Sequence, residues 1–113
     1  MFNVTTEIYE NFVESFVEEG TTEEILFIGF ASETGEVLSE RMREIRKGES
    51  RSKEILDELS DVLWYISAIT KRRGFSVVDL MTHSILKLED RALNGKKSKT
   101  KGYLTLKNKK GDT

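Results

Sequence analysis

The stretch Leu26-Phe27-Ile28-Gly29-Phe30-Ala31-Ser32-Glu33-Thr34-Gly35-Glu36-Val37-Leu38 decides the fold. Its apolar residues recur every three to four positions, the period of one helical face. Glu33 interrupts that face, with Phe30 three residues before it, Val37 four after it and Leu26 a further turn back. A second stretch, Ile55-Leu56-Asp57-Glu58-Leu59-Ser60-Asp61-Val62, repeats the pattern, with Glu58 between Ile55 and Val62. Glu33 and Glu36, like Glu58 and Asp61, are spaced i, i+3, so both carboxylates of each pair project from one side of a helix. A carboxylate in an apolar stripe is costly unless a cation or a hydrogen-bond donor meets it. Four such acids on two adjacent helices suit a hard divalent ion, since Mg²⁺ prefers oxygen ligands in a near-octahedral shell. With 20 acidic residues among 113, acids at this spacing also arise on solvated faces, so spacing alone leaves both readings open.

Working outward, the periodicity predicts four helices. The first covers residues 6–19, with Ile8, Phe12, Val13 and Phe16 as its apolar stripe and Gly20 as its stop. Thr21 and Glu24 occupy the two ends of a capping box that opens the second helix, which runs to about Lys47. Its side facing core or partner carries Leu26, Phe27, Phe30, Ala31, Val37, Leu38, Met42 and Ile45. Gly29 and Gly35 lie inside it, each at a cost of roughly 1 kcal/mol relative to alanine, and would permit close helix approach near the acids. Residues 48–52 read as a polar loop. The third helix covers residues 53–73, with Ile55, Leu59, Val62, Leu63, Ile66 and Ile69 as its stripe, and stops at Gly74. Ser76-x-x-Asp79 opens a fourth that reaches about Leu93. The short loop between the acid helices makes them antiparallel neighbours, so Glu33 and Glu36 should face Glu58 and Asp61. Without a metal, four packed carboxylates would repel and raise one another's pKa values.

Composition narrows the classes. The length suits one domain, with 37% hydrophobic and 34% charged residues and no proline, which points to an all-α bundle with a modest core completed by oligomerisation. Residues 1–95 form the helical domain and residues 96–113 a basic tail. There is no cysteine, which excludes disulfides and thiolate metal sites, and the one histidine, His83, cannot support a histidine zinc site or a catalytic triad. His83 reads as a surface or packing residue. No apolar run is long enough for a transmembrane span, no leader is evident, and a cytoplasmic location is expected. Residues 1–61 carry 16 acids and 6 bases, residues 62–113 carry 4 acids and 12 bases, for net charges of −10 and +8. That asymmetry suits a metal–phosphate substrate, and it equally suits charge pairing between halves or between chains. The tail lysines lack the interleaved aromatics of a single-strand binding platform, so nucleic acid is not an expected partner.

Residues 26–91 resemble the MazG-like nucleotide pyrophosphohydrolases of the all-α NTP pyrophosphatase superfamily. The resemblance rests on the segment from Gly29 to Glu40, on Asp57-Glu58-Leu59-Ser60-Asp61-Val62-Leu63-Trp64-Tyr65, and on Ile85-Leu86-Lys87-Leu88-Glu89-Asp90-Arg91. It implies a four-helix fold, dimers or tetramers, and hydrolysis of a nucleoside triphosphate to monophosphate and pyrophosphate in nucleotide-pool housekeeping. It also implies Mg²⁺, for which Mn²⁺ could substitute, held by Glu33, Glu36, Glu58 and Asp61. Of these, Glu33 is the choice for a carboxylate that doubles as base, because it is embedded in the apolar stripe. Two positions depart from it. Ser32 stands where many relatives carry a further glutamate, and Ser84 where asparagine is common.

Tyr65 shares the acid face of the third helix and would bind phosphate, sugar or base, or else serve as a core tyrosine with a wet hydroxyl. Trp64 would stack on a base or anchor the core. Lys87 and Arg91, spaced i, i+4, would grip the triphosphate, Arg91 as a bidentate fork. Lys47 and Arg51 are further basic candidates near the loop. Two alternatives stand beside the enzyme: a non-catalytic helical dimer that binds a protein partner or nucleic acid, and a nucleotide-binding regulator that lost hydrolysis at Ser32.

Overall fold

A computed structural model describes residues 3–94, and among them the secondary structure is helical throughout. The helices are α1 Thr6–Phe16, α2 Glu23–Lys47, α3 Ser52–Arg72 and α4 Val77–Leu93. The predicted basic tail lies outside the described residues. The described residues divide into two compact units, one up to Val77 and the other from Val78 onward. The first contains α1, α2 and α3; the second contains α4 from Val78 onward.

Caps and glycines set the helix ends. The Thr5 hydroxyl accepts from the Ile8 N–H at 3.1 Å to open α1. The cap of α2 is Thr22, one residue later than the capping box predicts, and its hydroxyl accepts from the Ile25 N–H at 3.2 Å. Thr21 belongs to the preceding turn instead: its N–H donates to the Glu18 carbonyl at 3.1 Å, and its own carbonyl accepts from Arg72 at 2.7 Å. Gly48 closes α2 in the left-handed region, φ +67°, where a side chain would be strained.

The α1 helix ends at Phe16, earlier than its apolar pattern predicts, because Val17 turns to extended backbone and packs on the core. Its buried face also differs from the predicted stripe. Val13 is buried, with Tyr9 and Val17 beside it on the core, whereas Ile8, Phe12 and Phe16 are exposed, the two phenyl rings 4.9 Å apart. Two adjacent apolar rows run along this short helix, and among the described residues the Tyr9-Val13-Val17 row is the one packed on the core.

The core is small. Val13, Leu26 and Ala68 are its buried residues, with Tyr9, Val17, Trp64, Tyr65 and Ile69 packed around them. Burying Val13 and Leu26 stabilises by about 1.5–3 kcal/mol each. The α2–α3 hairpin makes the most extensive helix–helix packing, and α1 lies against α3. Arg73 ties the end of α3 to Glu23 at the start of α2 by an ion pair of 2.6 Å. Leu38, Met42 and Ile45 on α2, and Leu56, Leu59 and Leu63 on α3, remain exposed. In the second unit no residue of α4 is buried.

Candidate metal centre

The short turn after Gly48 folds α3 back along α2 and sets the acid segments side by side. Carboxylate oxygens of Glu33, Glu58 and Asp61 lie within 4.8 Å of one another. Glu33 and Glu58 are half-buried and Asp61 is exposed. Among the described residues no lysine or arginine forms an ion pair with any of the three.

Glu33 registers that crowding. Burial raises its pKa first, then a hydrogen bond with Glu58, then the charges of Asp61, Glu58 and Glu36. A cation bound among the three carboxylates would relieve that crowding. Glu36 is exposed and stands outside the three-acid group, although its charge is felt at Glu33. The donor set, all carboxylate oxygen with an open side at Asp61, fits a hard divalent cation that keeps several waters.

The two interior glycines differ. A β-carbon on Gly29 would overlap the Tyr65 ring, so glycine at 29 is what lets that ring lie against α2 one turn before Glu33. Gly35 has open space around it. Close approach therefore holds at Gly29 alone. Tyr65 and Trp64 are both half-buried against the core, and their rings meet edge-to-face at 5.1 Å and 79°. Lys47 is exposed at the last turn of α2. Lys87, Arg91 and His83 are exposed on α4, in the second unit.

Three features escaped the sequence reading. Tyr9, packed on the core from α1, feels the charge of the site: burial, and then the charge of Asp61, push its hydroxyl above its ordinary pKa. Its position four residues before Val13, on the same helical face, was the available signal. Arg51 is not a free cation, since its Nε donates to Glu40 at 2.6 Å. Glu40 itself is buried, and its second oxygen accepts from Arg43 at 2.9 Å. Both Glu40 and Arg51 sit seven residues from a site acid, Glu33 and Glu58 respectively, which marks them as the next layer of the same seam.

Fold and site together define an all-helical protein that carries an uncompensated acid cluster on an antiparallel hairpin. The family model for the MazG nucleotide pyrophosphohydrolase domain matches residues 21–95, about two-thirds of the chain and all of α2, α3 and α4. The chain belongs to this family. No curated protein and no solved structure matched the sequence.

Proposed function

We propose that the protein is a Mg²⁺-dependent nucleoside triphosphate pyrophosphohydrolase that yields monophosphate and pyrophosphate. The observation that carries this reading is the meeting of Glu33, Glu58 and Asp61 across the hairpin, with no lysine or arginine among the described residues paired to them. Glu33, Glu58 and Asp61 would hold the metal, joined by Glu36 one turn along α2. Bound there, the ion supplies charge neutralisation and orientation of phosphate oxygens. Glu33 is the carboxylate assigned to accept the proton of the attacking water, because its half-buried setting raises its affinity for one. Tyr65, whose ring lies against α2 at Gly29, and its neighbour Trp64 are assigned to the nucleoside, while Lys87, Arg91 and Lys47 are assigned to the phosphates.

The exposed Ile8-Phe12-Phe16 row and the exposed leucines of α2 and α3 support assembly as a homodimer or homotetramer, since patches of this kind are commonly covered by a partner. No helix among the described residues is long and apolar enough to cross a membrane. Housekeeping of the nucleotide pool in the cytoplasm is the matching role, with residues 1–95 as the catalytic part.

Incubation of the full chain with a panel of canonical and modified nucleoside triphosphates, with and without Mg²⁺, tests the reaction. Monophosphate plus pyrophosphate, formed only with metal and abolished in E36A and D61A, is expected. Diphosphate plus orthophosphate would refute cleavage between the α- and β-phosphates. No product from any nucleotide would turn the reading toward a regulator or a non-catalytic binding protein.

A further inference from the structure

The seam between α2 and α3 carries a second polar layer, about 10 Å along the helices from the acids, the rise of two turns. Here Arg51 is held twice from α2. Its side-chain Nε donates to Glu40 at 2.6 Å, and its backbone N–H donates to Glu44 Oε2 at 2.7 Å. Glu40 and Glu44 are one turn apart on α2, so one takes the side chain and the other the main chain of the same residue. Arg51 is also the residue that opens α3, and its own side chain makes no cap bond there. The Glu44 carboxylate therefore does for α3 what a local cap does elsewhere, from the neighbouring helix. Arg41 and Arg43 in turn hold Glu44 and Glu40 at 2.8 and 2.9 Å.

This layer faces a mechanical problem posed by the other. Without metal, Glu33, Glu58 and Asp61 repel one another whenever all three are ionised, and that repulsion favours separation of the helices. A slip of one residue would shift Glu58 by about 1.5 Å along the axis and turn it about 100° away from Glu33. The small core leaves little apolar packing to oppose such a slip. Two fixings of Arg51, one through its backbone, oppose both the sliding and the rotation of α3.

We propose that the Glu40–Arg51 pair is a positioning device that fixes the register of the hairpin and so preorganises the Glu33–Glu58–Asp61 site for its cation. This rests on the metal reading above. Arg51 also keeps Glu40 from acting as a competing ligand, because both oxygens of that carboxylate are already engaged.

The test is Mn²⁺ binding to the full chain, followed by the electron paramagnetic resonance of free Mn²⁺, in wild type, E58Q, E40M, R51M and E40M/R51M. Helicity is recorded alongside by circular dichroism. Wild type is expected to bind and E58Q to fail. E40M and R51M should each weaken binding on the order of tenfold, the low end for loss of an outer support of a metal site. The double variant should be no weaker than the worse single one, because the two residues act as a unit. Methionine at both positions leaves no unpaired charge from the pair, so this variant carries the test if R51M does not fold. Wild-type affinity in the double variant, or losses that multiply between the single ones, would overturn the positioning role alone. Absence of Mn²⁺ binding in wild type would overturn the metal reading and the positioning role with it.

Discussion

Glu33 and Glu40 occupy equivalent places on α2, one heptad apart on the same seam, yet their surroundings are opposite. Glu33 meets Glu58 and Asp61, and its pKa is raised by burial and by those acids. Glu40 meets Arg51, which is the main reason that its pKa is lowered. The difference teaches where function sits on a repetitive helix pair. A layer in which every charge is answered holds the structure together, and a layer in which charges are left unanswered awaits something from outside.

The most severe way to break this contrast is to make the first layer resemble the second. E58R places a guanidinium opposite Glu33, where Arg51 stands opposite Glu40. Mg²⁺-dependent turnover should fall by about 100-fold or more, since even outer supports of a metal site cost about 10–100-fold. In EDTA the same variant should melt at a higher temperature than wild type, because attraction replaces repulsion. Retained turnover would remove Glu58 from the site.

A smaller effect is expected on the far side of the acids, where packing instead of charge keeps the helices close. G29A drives a methyl into the Tyr65 ring, and the overpacking should destabilise by about 1–3 kcal/mol in urea unfolding. Tyr65 would be displaced from its place against α2 one turn before Glu33, so turnover should fall as well. Wild-type stability in G29A would mean that the ring moves aside freely.

The third way uses pH, and the sign follows from each shift. The pKa of Glu33 is raised above its ordinary 4.5, so its contribution is fully present below that value and is lost as pH rises through the raised one. The pKa of Glu40 is lowered, so its contribution is present above 4.5 and is lost as pH falls through the lowered one. Melting temperatures in EDTA should therefore decline on the alkaline side less steeply in E33Q than in wild type. On the acid side they should decline less steeply in E40Q. A saturating divalent ion should abolish the alkaline decline, because metal replaces the proton. Identical slopes in wild type and E33Q would place the crowding elsewhere.

The mildest outcome is expected at Gly35, where a β-carbon meets open space. G35A should leave stability unchanged or raise it by up to about 1 kcal/mol, the helix-propensity difference. Urea unfolding of G29A and G35A side by side then separates close approach from simple tolerance.

Much of this is legible in the sequence. Glycines at 20, 48 and 74 mark the turns between helices, all three with positive φ, although α1 itself stops four residues before Gly20. The i, i+3 acids and the short loop made the meeting of Glu33 with Glu58 and Asp61 an expectation. Less legible were the choice of Thr22 over Thr21 as cap and the face by which α1 packs. Two adjacent threonines offer the same hydroxyl, and Ile8-Phe12-Phe16 is as good an apolar row as Tyr9-Val13-Val17. Local chemistry is nearly degenerate between those options, and long-range contacts such as Arg72 to the Thr21 carbonyl favour one.

The amino-acid sequence by itself determined four helices, the ends of all but the first, and which carboxylates share a face, because helical periodicity and turn chemistry act over a few residues. Only the tertiary structure decided that Glu33 faces acids while Glu40 faces Arg51, and that Gly29 is filled by Tyr65 while Gly35 is open. Those outcomes depend on the register between helices. That register is set by core packing around Leu26, Val13 and Ala68 and by the double hold on Arg51, contacts between residues distant in the chain.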